Sequence, residues 1–447
     1  MQIEPLILQA YIADRWQDIA ILTFQADYSL NDFSYLHDLT EILSDNDKAV
    51  SFNYPVEFFP HRSVSGWFAF LDDIVPSGAS RRYWLQKLDI AHLPMAQQNY
   101  LLLKQGTIAP VGHLRVKQAV SSFVENEPSR LFEIDDVINR QADFLEYANQ
   151  RGAMAGGATG AGGEAPKLLL RQTATRQVWI DNLQQGASSD DFYLVKFPRG
   201  KRSVIDCDIL RTEFHYYHEL ASMGFDTIDT TKMRLEEGER YPSLWLPRFD
   251  VYRNEQGKMA RYAVESVYAM LEKGAGSLLD HEKVIRQLIA KIETSHLVET
   301  GMFFDKQAFV IEWVRRDLLN IAFGNSDNHG RNTAFLRNQN RIWLAPIYDF
   351  APMKADPEGI PRTTMWDSKG HPALELGGEY RFDLIAEQLD DLCPADKLLD
   401  ALRQTAQQLV GLKARLEARG VPTAILTYPS ISLDYLPEKL KRWQLLS

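Results

Sequence analysis

Gly324-Asn325-Ser326-Asp327-Asn328-His329-Gly330-Arg331-Asn332 is followed, a short way along the chain, by Ala345-Pro346-Ile347-Tyr348-Asp349-Phe350. The first stretch is polar and follows the apolar, helix-patterned run Gln307 to Phe323. Read alone, it is a turn that closes a helix, because Asn, Ser, Asp and Gly side chains bond nearby backbone groups or relax the backbone. Three residues ask for more than a turn. Asp327 and Asn332 stand five positions apart, and Asp349 follows what reads as a β-hairpin.

A carboxylate, an amide oxygen and a second carboxylate in this order suit phosphoryl transfer from ATP. One carboxylate orients the attacking hydroxyl, and the other two groups hold Mg²⁺ on the phosphates. Protein kinases use Asp-x-x-x-x-Asn and then the Asp of Asp-Phe-Gly. Here the order and the first spacing agree, but no His-Arg precedes the Asp. His329 follows it instead.

Composition bounds the answer. The 447 residues suggest two or three domains, and 45% apolar with 24% charged residues is ordinary for a globular protein. A formal charge of −11 argues against a broad nucleic-acid or anionic-membrane surface. Two cysteines, Cys207 and Cys393, exclude a disulfide framework and give no zinc spacing. No apolar run is long enough to span a bilayer, and Met1 to Pro5 shows no secretory signal, so a reducing cytoplasm is expected.

The chain opens with two short strands, Leu6 to Ala13 and Trp16 to Phe24. Helical patterns follow at Arg81 to Leu88 and Gln97 to Gln105, and a strand at Gly112 to Val116 closes the region near residue 120. An amphipathic pattern from Ile134 to Gln150 leads into the Gly-rich run 152–163, then the strand Leu168 to Leu170. Such runs are commonly flexible linkers. A Gly-rich turn beside a strand also lets backbone N–H groups approach phosphate.

Lys196 lies in the apolar strand Phe192 to Phe197, where a kinase carries the lysine for the α- and β-phosphates. A strand lysine more commonly faces solvent, so its place in the series carries the reading. Glu213, on the helix Thr212 to Leu220, is placed either to pair with it or to remain a solvated charge. His215 and His218 share that helix with no third metal ligand nearby. The strand ending Pro247-Arg248-Phe249 stands where a kinase has its hinge. Beyond residue 260 the chain reads as mostly helical: Ala263 to Leu271, His281 to Leu297, Gln307 to Phe323, Asp383 to Leu392 and Ala395 to Arg419. Lys413, Arg415, Glu417 and Arg419 read as a solvated helix surface.

Taken in order, these motifs resemble the HipA-like serine/threonine kinases, toxins of bacterial toxin–antitoxin systems. Phe70 to Gly78 is similar to the N-terminal signature around Leu-Pro-Glu-Gly, with Pro76-Ser77-Gly78 here. Gly160 to Lys167, with Gly162, Gly163 and Lys167, resembles the Gly-Gly-x-x-Pro-Lys ATP loop. Arg248-Phe249-Asp250 resembles the hinge, Asp327-x-His329-x-x-Asn332 the catalytic Asp-x-His-Ala-Lys-Asn, and Tyr348-Asp349 the metal-binding Tyr-Asp. Gly330 and Arg331 stand where the family has Ala and Lys. Thr159 is the nearest counterpart of a regulatory serine that is autophosphorylated in the family.

The resemblance implies an α+β, two-lobed kinase-like fold. An N-terminal α/β subdomain would span 1–120, an N-lobe 121–255 and a helical C-lobe 256–447. It implies ATP and Mg²⁺ as cofactors, with Asp327 catalytic and Asn332 and Asp349 on the metal. Nucleotide contacts would come from Gly162, Gly163, Lys167, Lys196, Glu213, Pro247, Arg248, Phe249, His329 and Arg331. It further implies a protein substrate, in known members an aminoacyl-tRNA synthetase. A small helix-turn-helix antitoxin would be the partner, with DNA reached only through it and no membrane contact. Two rivals stand beside this reading. One is a small-molecule or lipid kinase, which the N-terminal signature disfavours. The other is an inactive kinase-like scaffold, which the joint presence of Lys196, Asp327, Asn332 and Asp349 disfavours.

Overall fold

The structure is a computed structural model, described here for residues 3–36, 48–108, 110–121, 130–140, 167–180 and 189–447. The N-terminal strands pair as expected. Leu6–Ile12 and Arg15–Phe24 form an antiparallel hairpin whose turn residues Ala13 and Asp14 both take positive φ, the conformation that matches strand twist in a tight hairpin. Leu30–Tyr35 and His61–Arg62 extend this sheet on one side and Leu114–Val116 on the other. Leu6, Leu8, Ala20 and Leu22 bury one face in a core shared with Trp84 and Tyr100 of the helices Gly78–Lys87 and Met95–Gly106.

A second antiparallel sheet carries the strands Lys167–Gln172, Asp191–Lys196 and Pro242–Pro247 at its centre. The helix Val204–Ser222 packs on it. Its start is set by Ser203, whose hydroxyl accepts from Asp206 N while the Asp206 carboxylate accepts from Ser203 N. Such a cap stabilises a helix by about 1 kcal/mol. The Ile134 to Gln150 pattern is helical over Ile134–Ile138, and its remainder from residue 141 lies outside the described residues.

After Pro247 the chain crosses to the second lobe through the hairpin Val251–Arg253 and Met259–Arg261. The lobe is built around the buried helices His281–Glu293, Lys306–Phe323 and Ala395–Leu409. Gly324 ends the middle one in the left-handed conformation (φ 70°), and a Cβ there would sit 2.8 Å from Ile431. The loop that carries Asp327 therefore starts at a fixed point.

Three expectations need correction. Ala263 to Leu271 is not one helix. Ala263–Ser266 is a strand paired with Ala334–Arg337, and only Val267–Met270 is helical. Sheet pairing overrides the helix-like apolar spacing, and Ser266 caps the short helix by accepting from Ala269 N. Ala395 to Arg419 is interrupted at Gly411 (φ 73°), which separates Ala395–Leu409 from Leu412–Arg419. Arg415 and Arg419 are not merely solvated. Both donate at 2.6 Å to Glu219, which is fully buried on Val204–Ser222. They neutralise a carboxylate that could not otherwise be buried.

The N-terminal region meets the second lobe through buried carboxylates. Asp73 accepts from Ser266 N at 2.7 Å, and Glu265 accepts from the Ser51 hydroxyl at 2.6 Å and Phe52 N at 2.9 Å. Burial raises the Asp73 carboxyl to about 6, against the opposing charge of Arg331. Burial raises the Glu265 carboxyl to about 7, against Ser51, Phe52 and Arg337. Both lie above the roughly 4 of an unfolded chain. The folded state thus holds extra protons between those values, so this contribution is present at low pH and is lost as pH rises through 6 to 7. Glu265→Gln should therefore flatten the fall in stability between about pH 5 and 8, measured as urea midpoints at each pH. An unchanged slope would show that Glu265 does not titrate there.

Candidate active site

The site begins with a register. Lys167 and Lys196 are direct partners on neighbouring antiparallel strands. Like charges placed opposite each other in a sheet repel, and both side chains are nearly fully buried. Asp349 of the other lobe resolves the conflict. Its Oδ1 accepts from Lys196 Nζ at 2.5 Å and its Oδ2 from Lys167 Nζ at 3.2 Å. Lys196 also donates to Glu213 at 2.6 Å, so Glu213 is a buried partner and not a solvated charge. Tyr217, one turn further along the helix, donates its hydroxyl to Glu213 at 3.0 Å and accepts from Phe350 N at 3.3 Å. The helix, the lysine strand and the segment after Asp349 thus share one network.

The electrostatics follow. Burial alone would weaken the Lys196 ammonium, but Asp349 and Glu213 outweigh it and hold the proton more tightly than usual. Lys167 shifts the other way, because burial and the neighbouring Lys196 exceed the pull of Asp349. The Asp349 carboxyl is held well below the usual carboxylate range: burial opposes this and the two lysines win. Asp349 adopts φ 53°, a left-handed conformation that costs a non-glycine residue roughly 1 kcal/mol or more.

Asp327 opens into the same cavity as Lys167, Lys196, Arg199, Glu213 and Asp349. Its side chain keeps 20% exposure, and His329 Nε2 stands 3.4 Å from it. Burial raises the Asp327 carboxyl, His329 lowers it and Asp349 raises it again, leaving it above the ordinary value. Asn332 donates Nδ2 to the Asp327 carbonyl at 2.7 Å. Its Oδ1 is buried with no hydrogen-bond partner. An orphaned amide oxygen on the loop that carries Asp327, whose own carboxyl feels the Asp349 charge, suits a hard oxygen-seeking cation such as Mg²⁺. Among the described residues no group of three or more His, Cys, Asp and Glu side chains could hold a metal.

The cleft continues toward the hinge. Val111, Leu194, Ile228, Leu246, Pro247, Arg248, Phe249 and Tyr348 line it, and Phe249 stacks on Tyr348 at 5.2 Å. Arg248 is bound to Asp250 through Nε at 3.0 Å and Nη2 at 2.5 Å and donates to the Pro110 carbonyl at 3.2 Å. Its guanidinium is therefore engaged in holding the hinge.

Arg331 is buried, and its charge acts on Asp72 and Asp73 of the N-terminal region. It is not among the residues lining the cavity that holds Asp327. Gly162, Gly163 and Thr159 lie outside the described residues. At Gly330 a Cβ would stand 2.6 Å from Cδ1 of Tyr268, whose ring stacks on His329 at 6.2 Å. The glycine is the counterpart of that tyrosine. Arg199 was not singled out from sequence. It reaches Asp356 at 3.2 Å and lines the lysine cavity, and the basic run Arg199-Gly200-Lys201-Arg202 directly after the lysine strand was its signal.

A two-lobed α+β fold with a lysine–glutamate pair in one lobe and an Asp–Asn loop in the other defines the protein-kinase-like class. Residues 159–412 match the HipA-like C-terminal domain, more than half of the chain, and the chain belongs to the HipA-like family. Among solved structures it is similar to HipA of Shewanella oneidensis MR-1, solved with HipB and its operator DNA. The TM-score is 0.61 at 14% identity, covering 98% of this chain and 96% of that one. The Helicobacter pylori proinflammatory kinase CtkA matches with a TM-score of 0.38 at 14% identity, covering 57% of this chain and 86% of that one. No curated protein matches the chain.

Lys196→Met would leave Glu213 buried and Asp349 largely buried with one fewer cation. Breaking such a cluster costs roughly 3–5 kcal/mol. Urea denaturation of Lys196→Met, Glu213→Gln and the double variant should give a double-variant loss smaller than the sum of the singles. Strict additivity would refute the coupling.

Proposed function

We propose that this protein is an ATP-dependent kinase that phosphorylates a serine or threonine of a cellular protein. The observation that carries the reading is the convergence of Lys196, Asp349 and Asp327 on one cavity, with the unpartnered Asn332 Oδ1 on the Asp327 loop. In this reading the purine lies against Val111, Leu194, Ile228 and Leu246. The phosphates extend to Lys167, Lys196 and Arg199, which exchange part of their hold on carboxylates for the phosphate oxygens. Asn332 and Asp349 would hold Mg²⁺, which when bound neutralises charge on the phosphates. Asp327 orients the hydroxyl and takes its proton, and its raised pKa suits a group that must accept one.

The Shewanella HipA was solved with HipB and operator DNA. By extension we assign this chain a small helix-turn-helix partner, with DNA bound through that partner. The formal charge of −11 supports this division of labour. Among the described residues no helix is long and apolar enough to cross a membrane. An aminoacyl-tRNA synthetase is the substrate class that the family suggests.

Asp327→Asn should reduce phosphoryl transfer by about 10²–10⁴-fold, the usual worth of a positioned acid–base group. Mg-ATP should still stabilise the variant, by about 2.7 kcal/mol at 100 times Kd. Radiolabelled transfer and thermal shift, run in parallel, read the two effects. Transfer retained by Asp327→Asn would remove Asp327 from its role. Absence of stabilisation by millimolar Mg-ATP in the unaltered protein would overturn the ATP assignment.

A further inference from the structure

Asn328 sits between Asp327 and His329, yet its side chain is engaged elsewhere. Its Oδ1 accepts from Thr363 N at 3.0 Å and Thr364 N at 3.2 Å. Its Nδ2 donates to the Thr364 carbonyl at 2.6 Å. The Thr364 hydroxyl returns a bond to the Asn328 carbonyl at 2.8 Å. Two N–H donors face one end of the amide and a carbonyl faces the other, so only one orientation of the amide satisfies all of them.

The segment that receives Asn328 is itself held. Leu279–Asp280 pairs in parallel with Thr364–Met365. Arg362 and Trp366 flank the threonines and both donate to Asp317, at 3.0 Å and 2.9 Å. Asp317 is buried within Lys306–Phe323, the helix that delivers the chain into the Asp327 loop. His281 adds a contact to Asp317 at 3.3 Å and stacks on Trp366 at 4.6 Å. The loop and the segment Arg362–Trp366 thus return to one helix by separate routes, and Asn328 joins them. The Asp327 peptide is pinned on both sides: Asn332 holds the Asp327 carbonyl and Thr364 holds the Asn328 carbonyl.

We propose that Asn328 is a positioning residue that fixes the direction of the Asp327 carboxylate by clamping its peptide to Thr363 and Thr364. The proposal rests on the reading of Asp327 as the group that orients the acceptor hydroxyl. Asn328 does not touch the reacting atoms in this scheme. It makes the catalytic geometry depend on a segment far along the chain.

The test uses the full-length chain with Mg-ATP and water as acceptor, so that no protein substrate is needed. Asn328→Ala should lower kcat by about 10- to 100-fold and change the KM for ATP by less than about twofold, because the loss falls on the reacting geometry and not on nucleotide binding. Thr364→Val should lower kcat in the same way, whereas Thr364→Ser, which keeps the hydroxyl, should stay near the unaltered rate. The Asn328→Ala and Thr364→Val effects should not add. Hydrogen exchange should show lost protection in both Asp327–Asn332 and Thr363–Met365 in Asn328→Ala. Unchanged kcat in Asn328→Ala, or equal rates for Thr364→Val and Thr364→Ser, would overturn the proposal. If Asn328→Ala does not fold, the Thr364 pair decides alone. If the unaltered protein binds Mg-ATP but never turns it over, the kinase reading fails first. Exchange then decides the clamp: unchanged protection in Asn328→Ala sinks it, and coupled loss upholds it.

Discussion

Two buried lysines face each other across neighbouring strands, and the rest of the molecule is arranged around the carboxylate that separates them. Lys167 and Lys196 could not share that register without Asp349. Asp349 comes from the opposite lobe, so the lobes are fastened where the candidate chemistry lies. Glu213 and Tyr217 extend the fastening to the helix Val204–Ser222, and Tyr217 returns it to Phe350. A buried cluster of this kind adds less to stability than its short contacts suggest, because desolvation opposes the Coulomb gain. Its consequence is geometric: removing Lys196 leaves the Glu213 carboxylate buried without its cation.

The sequence exposes the parts of this arrangement that depend on short spacing. Asp327, His329 and Asn332 lie in one loop, and Tyr348-Asp349 follows one hairpin later, so their order alone indicates a common purpose. Lys196 and Glu213 are further apart, and only the kinase-like order of strand and helix suggests that they meet. What the sequence conceals is set by partners distant along the chain. Arg415 and Arg419 look like surface charges until Val204–Ser222 brings Glu219 between them. Ala263 to Leu271 has helical spacing, yet its first four residues are captured by the strand Ala334–Arg337. Arg331 reads as a phosphate contact by its place in the motif, and the sequence gives no sign that its charge also acts on Asp72 and Asp73. The Gly-rich run with Gly162, Gly163 and Thr159 lies outside the described residues.

Departures from the family pattern carry information of their own. Gly330 replaces an alanine and looks conservative, but the Tyr268 ring occupies the space a Cβ would need. The same ring stacks on His329, which stands 3.4 Å from Asp327. A substitution at one of these positions therefore has to be judged with the other.

The buried pair Arg248–Asp250 at the hinge has one more implication. Arg248 donates to the Pro110 carbonyl, Asp250 accepts from Gly112 N at 2.7 Å, and both charged side chains are almost fully enclosed. The crossing point between the lobes is thus completed by backbone that precedes residue 120. Excising that region would strip the hinge of two hydrogen bonds and bare the carboxylate of Glu265, which Ser51 and Phe52 cover. The N-terminal region is consequently not a detachable module that a shuffling event could exchange without loss. It and the hinge share these contacts, so a substitution on one side is felt on the other.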